Sequence, residues 1–275
     1  MTTLVDALAH ARRRGVDRLD AQLLLAQLLA RERAWLIAHD DSVLDAPDAA
    51  RFDAALARRA AGEPLAYLVG HKEFHGLDLQ VDARVLVPRP ETELLVDWAL
   101  ELLAHGGPAA PRIIDLGTGS GAIALALKRH WPAACVTATD ASAGSLDVAR
   151  RNADRLALAL EFVAGSWWQP LDARRFDLAL SNPPYVRADD AHLAALGHEP
   201  RGALTPGPTG LEALVEIVAG AGARLEPGAW LLLEHGFDQA TAVQALLGRH
   251  GFVAIRTRPD LAGQPRCTGG QRPGR

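Results

Sequence analysis

The chain has 275 residues, 49% hydrophobic and 23% charged, with a formal net charge of −4. That length can bury one large core or two smaller ones, and the mild negative charge argues against general affinity for a nucleic-acid backbone. Two cysteines, Cys135 and Cys267, are too few for a disulfide scaffold or a thiolate metal centre. No apolar run approaches the roughly 18 residues of a membrane span, and Asp6, His10 and three consecutive arginines interrupt the start where a secretory signal needs an unbroken apolar stretch. A cytoplasmic protein with no membrane partner is expected.

From Leu4 to about Ala61, apolar residues recur at three- and four-residue spacing, as in Leu24, Leu28 and Leu29, which predicts several short amphipathic helices. Asp17 to Asp20 and Asp45 to Asp48 supply the punctuation of helix starts. The texture changes at Gly62-Glu63-Pro64. Glu73-Phe74, Leu77, Leu79, Val81 and Val85 to Val87 alternate like strands, with turn signals at Gly76 and Asp82, so a small β-hairpin linker is expected. Pro88-Arg89-Pro90 ends it, and Thr92-Glu93 begins a helix that runs to about His105.

Beyond a Gly106-Gly107-Pro108 break, apolar strands alternate with helical segments: 112–116 then 122–130, 135–139 then 145–156, 160–163, and 176–180. That rhythm favours a mostly parallel sheet covered on both faces. A helix over 210–224, a strand over 230–233, a helix over 239–247 and a strand near 253–256 follow. By composition, 264–275 reads as a polar, glycine-rich, frayed tail.

Asp115-Leu116-Gly117-Thr118-Gly119-Ser120-Gly121 joins a predicted strand to a predicted helix, where glycine lets backbone turn tightly and approach a ligand. Such a loop also opens nicotinamide and flavin folds. Asp140, nineteen residues after the last glycine at the end of the next strand, is placed to accept hydrogen bonds from ribose hydroxyls. The segment that tells S-adenosylmethionine from nicotinamide lies further on. Ser181-Asn182-Pro183-Pro184-Tyr185 follows the strand 176–180 and should emerge at the carboxyl edge of the sheet beside the glycine loop. Two prolines lack N–H groups and have fixed φ, leaving rigid carbonyls free to accept protons. An amide NH2 has a delocalised lone pair and attacks poorly. If the Asn182 oxygen and the Pro183 carbonyl accept its two N–H bonds, positive charge developing on nitrogen is stabilised and the lone pair faces a methyl donor. Tyr185 offers a ring to stack on a planar group and exclude water.

Asn182 to Tyr185 together with Asp115 to Gly121 resembles the class I methyltransferases of exocyclic and amide nitrogens, including DNA adenine N6-methyltransferases and protein glutamine N5-methyltransferases. Gly62-Glu63-Pro64-Leu65-Ala66-Tyr67-Leu68, Glu73-Phe74, Val87-Pro88-Arg89-Pro90-Glu91-Thr92-Glu93, Gly165-Ser166-Trp167, His198-Glu199-Pro200, Leu233-Glu234-His235-Gly236 and Asp260-Leu261-Ala262-Gly263 resemble the release-factor glutamine methyltransferase family. The resemblance covers nearly the whole chain. It implies an α/β, Rossmann-like class I methyltransferase domain with a mostly parallel seven-stranded sheet at 91–275, preceded by a helical substrate-recognition domain at 1–70 and the hairpin linker at 71–90. It further implies S-adenosylmethionine against Gly117, Thr118, Gly119, Ser120, Gly121, Asp140, Trp167 and Asn182. The substrate glutamine would lie on Asn182, Pro183, Pro184 and Tyr185, with catalysis by Asn182, Pro183 and Tyr185, and the partner would be a peptide chain release factor. The doublet Trp167-Trp168 leaves the adenine contact open by one position, and the family expects a final strand where Arg266 to Gly270 stands. A ribosomal-protein glutamine methyltransferase, a DNA adenine methyltransferase and a non-catalytic nucleotide-binding module are the competing readings.

Other features carry less. Gly269-Gly270-Gln271 spells the tripeptide that the family modifies in its substrates, and coincidence is the preferred reading. His71 and His75 lie in strand and turn and are assigned to packing rather than to a metal. Glu91 and Glu93 suit a helix start. Arg89 is equally open to a structural and a functional role, and Glu234-His235 is assigned to packing or loop ordering.

Overall fold

The structure is a computed structural model that describes residues 2–274. The chain divides into two compact units, Met1–His71 and Lys72–Arg275. In the first, a two-residue ladder pairs β1 (Thr2–Thr3) with β2 (Val43–Leu44), alongside helices α1 (Leu4–Arg13), α2 (Arg18–Leu29), α3 (Arg33–Ala38), α4 (Ala46–Ala60) and α5 (Leu65–Val69). The helix starts are chemically marked. Thr3 and Asp6 form a reciprocal capping box on α1, Asp17 accepts from the Leu19 amide at 2.8 Å, and Asp45 accepts from the Asp48 amide at 2.7 Å. The periodic apolar residues Leu4, Leu24, Leu25, Leu36, Phe52 and Leu56 meet in one buried cluster. Helix α5 occupies a stretch that the Gly62-Glu63-Pro64 signal places in the strand-like region; Pro64 stands at its N-cap and Gly70 closes it at φ +82°.

The second unit begins with the hairpin β3 (His71–Phe74) and β4 (Leu77–Gln80), followed by α6 (Glu93–Ala104). Then come β5 (Arg112–Leu116), α7 (Ala122–His130), β6 (Cys135–Asp140), α8 (Ala143–Leu156), β7 (Glu161–Ala164), β8 (Phe176–Ser181), α9 (Glu212–Arg224), β9 (Leu225–Glu234), α10 (Ala240–Arg249), β10 (Val253–Pro259) and β11 (Pro265–Gln271). The seven-stranded sheet has the order β10-β11-β9-β8-β5-β6-β7. All pairings from β9 to β7 are parallel, and β11 alone runs against its neighbours. Alternation along each strand divides the core. Ile113, Leu178, Leu180 and Leu232 face a cluster with Trp98 of α6 and Leu125 of α7. Ile114, Ala179, Leu231 and Leu233 face one with Ile217 of α9 and Val243 of α10.

Several expectations are corrected. The hairpin is no free linker: Phe74, Leu77 and Leu79 are buried in the cluster beneath α6, and Asn152 of α8 exchanges hydrogen bonds with Gln80 at 2.7 and 2.9 Å. Val85 to Val87, which alternate like a strand, form none; Val85 and Val87 are buried, yet the segment has no strand partner. Strand β9 starts five residues before Trp230 because a register shift opposite Phe176 and Leu178 absorbs Pro227-Gly228. The tail overturns the compositional reading of a frayed end and agrees with the final strand that the family resemblance expects at Arg266 to Gly270. Residues 265–271 form β11, threaded between β9 and β10, with Gly269 opposite Leu232 and Gln271 opposite Trp230. Its glycines are there because little room remains. A Cβ on Gly269 would stand 2.6 Å from Leu232 and 2.8 Å from Trp98, and one on Gly270 would stand 3.0 Å from Phe252. Glycine content that suggests fraying instead marks close packing.

Gly269→Ala is therefore expected to lower stability by about 1–3 kcal/mol, the usual cost of overpacking, whereas Gly274→Ala in open space should be neutral. Urea unfolding of the two variants checks this; equal midpoints would show that β11 does not pack as described.

Candidate active site

Strands β5 and β8 are neighbours from which the chain departs in opposite directions, to β6 and β7 on one side and to β9 on the other. Ligands of open α/β sheets bind at the carboxyl ends of strands at such a switch point. Here the two strand ends are joined directly: Ser181 Oγ donates to the Leu116 carbonyl at 2.6 Å. A cavity of about 300 Å³ opens at this edge, within the usual size range for small-molecule sites.

One wall is the glycine loop. The amides of Gly117 and Thr118 both donate to the Thr139 carbonyl, at 2.9 and 2.8 Å, which folds the loop back onto the end of β6. Gly117, Thr118, Gly119 and Ser120 line the cavity. Gly121 does not. It is the N-cap of α7 at φ +86°, and a Cβ there would stand 2.9 Å from Leu125 and 3.3 Å from Ala149, so this glycine serves the approach of helix to helix. Asp140 joins three loops at the rim. Its Oδ2 accepts from the Gly119 amide at 2.9 Å, its Oδ1 from the Ser142 amide at 2.8 Å, and its carbonyl from the Gly165 amide at 3.0 Å.

The tryptophan doublet divides cleanly. Trp168 is a core residue, its Nε1 donating to the Ile217 carbonyl at 2.8 Å and its ring filling the notch left by Gly220. Trp167 has φ +45°, a backbone state uncommon for a bulky residue, and its ring borders the cavity 3.0 Å from where a Gly117 Cβ would stand. No side chain larger than hydrogen fits between them.

Asn182 and Pro184 share this cavity with the glycine loop. Asn182 Nδ2 donates to Thr92 Oγ1 at 3.0 Å. Pro183 is buried and Tyr185 half-buried, and neither borders the cavity. The Tyr185 hydroxyl instead donates to Glu234 Oε1 at 3.2 Å, and its carbonyl accepts from Gln239 Nε2 at 3.0 Å. The outer wall comes from the stretch that forms no strand: Arg84, Leu86, Pro88, Arg89 and Thr92. Glu199, whose side chain is 2% exposed, holds it there by accepting from the Val87 amide at 3.1 Å and from the Arg89 guanidinium. Arg89 is thus ion-paired and at the cavity at once. Of these wall residues, Arg84 has no short-range sequence signal for a site, whereas Arg89 and Thr92 stand in the Val87 to Glu93 motif; Glu199, from the His198-Glu199-Pro200 motif, tethers the wall without lining it.

Family models match the two parts of the chain: the PrmC N-terminal domain at residues 3–70 and the methyltransferase small domain at residues 92–203. The release factor glutamine methyltransferase of Bordetella pertussis is 50% identical, over 98% of this chain and 99% of that relative. The chain belongs to the release factor glutamine methyltransferase family. The family member from Burkholderia pseudomallei is also 50% identical, over 94% of this chain and 93% of its own. A methyltransferase structure from Pyrococcus furiosus aligns with a TM-score of 0.55 at 20% identity, covering 72% of this chain and 90% of that one, and so shares the fold.

No group of three or more His, Cys, Asp and Glu side chains suited to a metal occurs among the described residues. His75 is held by Asp97 at 3.0 Å and His130 at 2.9 Å. Glu93 lies in the first turn of α6 and accepts from the His75 amide. The Gly-Gly-Gln tripeptide sits inside β11, with Gln271 Nε2 donating to the Gly228 carbonyl at 2.9 Å. Gln271 pairs with Trp230, four residues short of the carboxyl end of β9, so this glutamine is roughly 13 Å along the strand from the cavity edge. It cannot serve as a substrate there.

Two carboxyls beneath the site are buried. Asp115 is fully buried, its Oδ2 accepting from Thr118 Oγ1 at 2.6 Å, and burial pushes it up to about 7. Glu234 at the end of β9 is 1% exposed, and burial pushes it up to about 7 against the lowering influence of the Thr92 and Tyr185 hydroxyls. Its Oε2 has no hydrogen-bond partner among the described residues. His235 faces the Gly236 carbonyl through Nδ1 at 2.8 Å and Thr268 Oγ1 through Nε2 at 2.7 Å. A carbonyl only accepts, so Nδ1 carries the proton and the ring fits as neutral; burial holds its pKa down. His235 thus takes part in ordering the loop after β9, whereas Glu234 is tied to Tyr185 after β8.

A carboxyl whose folded pKa is raised binds more protons folded than unfolded between about 4 and 7, so its contribution to stability is lost as pH rises through 7. Relative to wild type, Glu234→Gln is expected to be more stable at pH 8 than at pH 5.5 by about 2 kcal/mol. Urea titrations at the two pH values read this difference; a pH-independent offset would mean that Glu234 is not buried as an acid.

Proposed function

We propose that the protein, acting in the cytoplasm, transfers a methyl group from S-adenosylmethionine to the side-chain amide nitrogen, N5, of the glutamine in the Gly-Gly-Gln motif of peptide chain release factors. One observation carries the proposal: Asn182, with its NH2 committed to Thr92, borders the same cavity as the glycine loop and Asp140. The residues present suit the cofactor. Gly117 leaves a slot beside Trp167 that a Cβ would fill, Asp140 supplies acceptors for ribose hydroxyls, and Trp167 supplies a flat face for adenine. When bound, S-adenosylmethionine supplies an electrophilic methyl on a positively charged sulfur.

The chain's own residues prepare the nucleophile. Since Asn182 Nδ2 donates to Thr92, Oδ1 is the atom left to accept one substrate N–H, and the Pro183 carbonyl accepts the other. Those two acceptors stabilise charge that develops on nitrogen as its lone pair leaves conjugation, without a base removing a proton first. The proton departs to solvent after the N–C bond has formed. Tyr185, tied to Glu234, steadies the diproline corner from outside the cavity. The helical first unit would dock the release factor.

Incubation with labelled cofactor and a release factor, followed by mapping of the modified residue, should place one methyl on the glutamine of the Gly-Gly-Gln motif; label in DNA or a ribosomal protein instead would overturn the assignment. Asn182→Ala should lower turnover by about 10²–10³-fold with cofactor affinity intact, as for loss of one preorganised hydrogen-bonding group. Asp140→Ala should weaken cofactor binding by roughly 1.5–3 kcal/mol, read by calorimetry; an unchanged dissociation constant would place the ribose elsewhere.

A further inference from the structure

We infer that Gln239 is a positioning residue which, from outside the cavity, fixes the far end of the Asn-Pro-Pro-Tyr corner by holding the Tyr185 carbonyl. This rests on the proposal above that the corner presents two acceptors, Asn182 Oδ1 and the Pro183 carbonyl, to a substrate NH2. Asn182 and Pro183 each precede a proline, which confines their ψ to about +120° to +160°. A swing through that range still moves a carbonyl oxygen by about 0.7 Å, more than the roughly 0.5 Å within which a catalytic group must be held. Neither proline has an N–H with which to narrow it, so the two ends of the corner must.

The near end is held by the strand edge: Ser181 donates to the Leu116 carbonyl at 2.6 Å and Asn182 to Thr92 at 3.0 Å. At the far end, the peptide plane between Tyr185 and Val186 is gripped on both edges. Its N–H donates to the Leu204 carbonyl at 2.9 Å, and its carbonyl accepts from Gln239 Nε2 at 3.0 Å. Without Gln239 the plane is free to turn about its remaining bond.

Gln239 stands at the N-cap of α10, and its one amide ties three loops together. Oε1 accepts from the Gly236 amide at 2.9 Å, and Nε2 donates to the Gly210 carbonyl at 3.3 Å as well as to Tyr185. The orientation of that amide is forced. A backbone N–H only donates and a backbone carbonyl only accepts, so a reversed amide would face like groups at all three contacts. Room for the crossing is reserved by Gly210, which has φ +75°; a Cβ there would stand 2.5 Å from the Tyr185 oxygen and 3.0 Å from Gln239 Nε2.

This geometry makes glutamate a sharp probe. Gln239→Glu keeps the side-chain length and the acceptor for Gly236, but it sets a carboxylate oxygen against the Tyr185 and Gly210 carbonyls. A carboxylate is favoured at a helix N-terminus, so α10 is not weakened and the loss falls on the corner. Once protonated, the same acid has an O–H to donate to Tyr185. The charged and titratable groups around position 239 are Asp238 on its own loop, Arg187 after β8, paired with Asp189 at 2.9 Å, and Glu234 and His235 at the end of β9. All are present in wild type, so the ratio of variant to wild type isolates the new acid.

The test uses the full-length protein, S-adenosylmethionine and an intact release factor, with kcat, KM and cofactor affinity measured from pH 5.5 to 8.5. At pH 8.5, Gln239→Glu should lower kcat by about 10–100-fold, with release-factor KM and cofactor affinity within about threefold of wild type. Gln239→Ala, where water can take the place of the amide, should lower it less, by about 3–10-fold. As pH falls, the ratio of Gln239→Glu to wild-type kcat should climb while that of Gln239→Ala stays flat. Unchanged kcat in Gln239→Glu at pH 8.5, a ratio that does not move with pH, or a loss that falls on KM or cofactor affinity overturns the positioning role alone. No methyl transfer by the wild-type protein overturns the proposed function, and the positioning role with it.

Discussion

The bond between Ser181 Oγ and the Leu116 carbonyl lies at the point on which the site depends, because it joins the ends of two parallel strands whose onward connections part. Everything beyond that bond leaves the sheet at one edge. The glycine loop emerges from β5, the Asn-Pro-Pro-Tyr corner from β8, and Asp140 from β6 on the far side of β5. A loop anchored only to itself would drift. This one is pinned by two amides on the Thr139 carbonyl and a third on Asp140, so strand pairing is transmitted into the position of backbone N–H groups at the cavity.

Around that edge, polar groups are buried in an order that has chemical sense. Asp115 and Glu234 lie under the cavity, and the neutral imidazole of His235 follows Glu234. Such placements oppose folding when the groups are ionised, and the surrounding hydroxyls of Thr118, Thr92 and Tyr185 offset only part of that cost. Glu199 does comparable work on the outer wall, fastening a segment that has no secondary structure to hold it. The cavity is thus built from one wall of regular structure and one wall of tethered chain.

Much of this was legible before the fold was known, because chemistry was concentrated in short contiguous runs. Gly117 to Ser120, Asp140 and Asn182 are carried by motifs whose flanking strands could be read from apolar periodicity. Thr92 and Glu199 stand in motifs that resemble the family, but their meeting at one site was not legible, since more than a hundred residues separate them, and Arg84 is typed by no local pattern. Trp167 and Trp168 were indistinguishable as letters. Their roles part only through the positive φ of the first and the Gly220 notch that receives the second.

By itself the sequence determined the alternation of strands and helices, the membership of the family and the residues that can accept an amide proton, because periodicity and contiguous motifs are local properties. Tertiary structure alone decided that the glycine-rich end is an inner strand, that the hairpin belongs to the core of the second unit, and that Tyr185 turns its hydroxyl to Glu234. Each of these is set by what a residue meets across a distance in the chain. Gly269 reads as flexibility until Leu232 and Trp98 close over it, and Glu234 reads as a strand-end acid until burial leaves two hydroxyls to answer its charge.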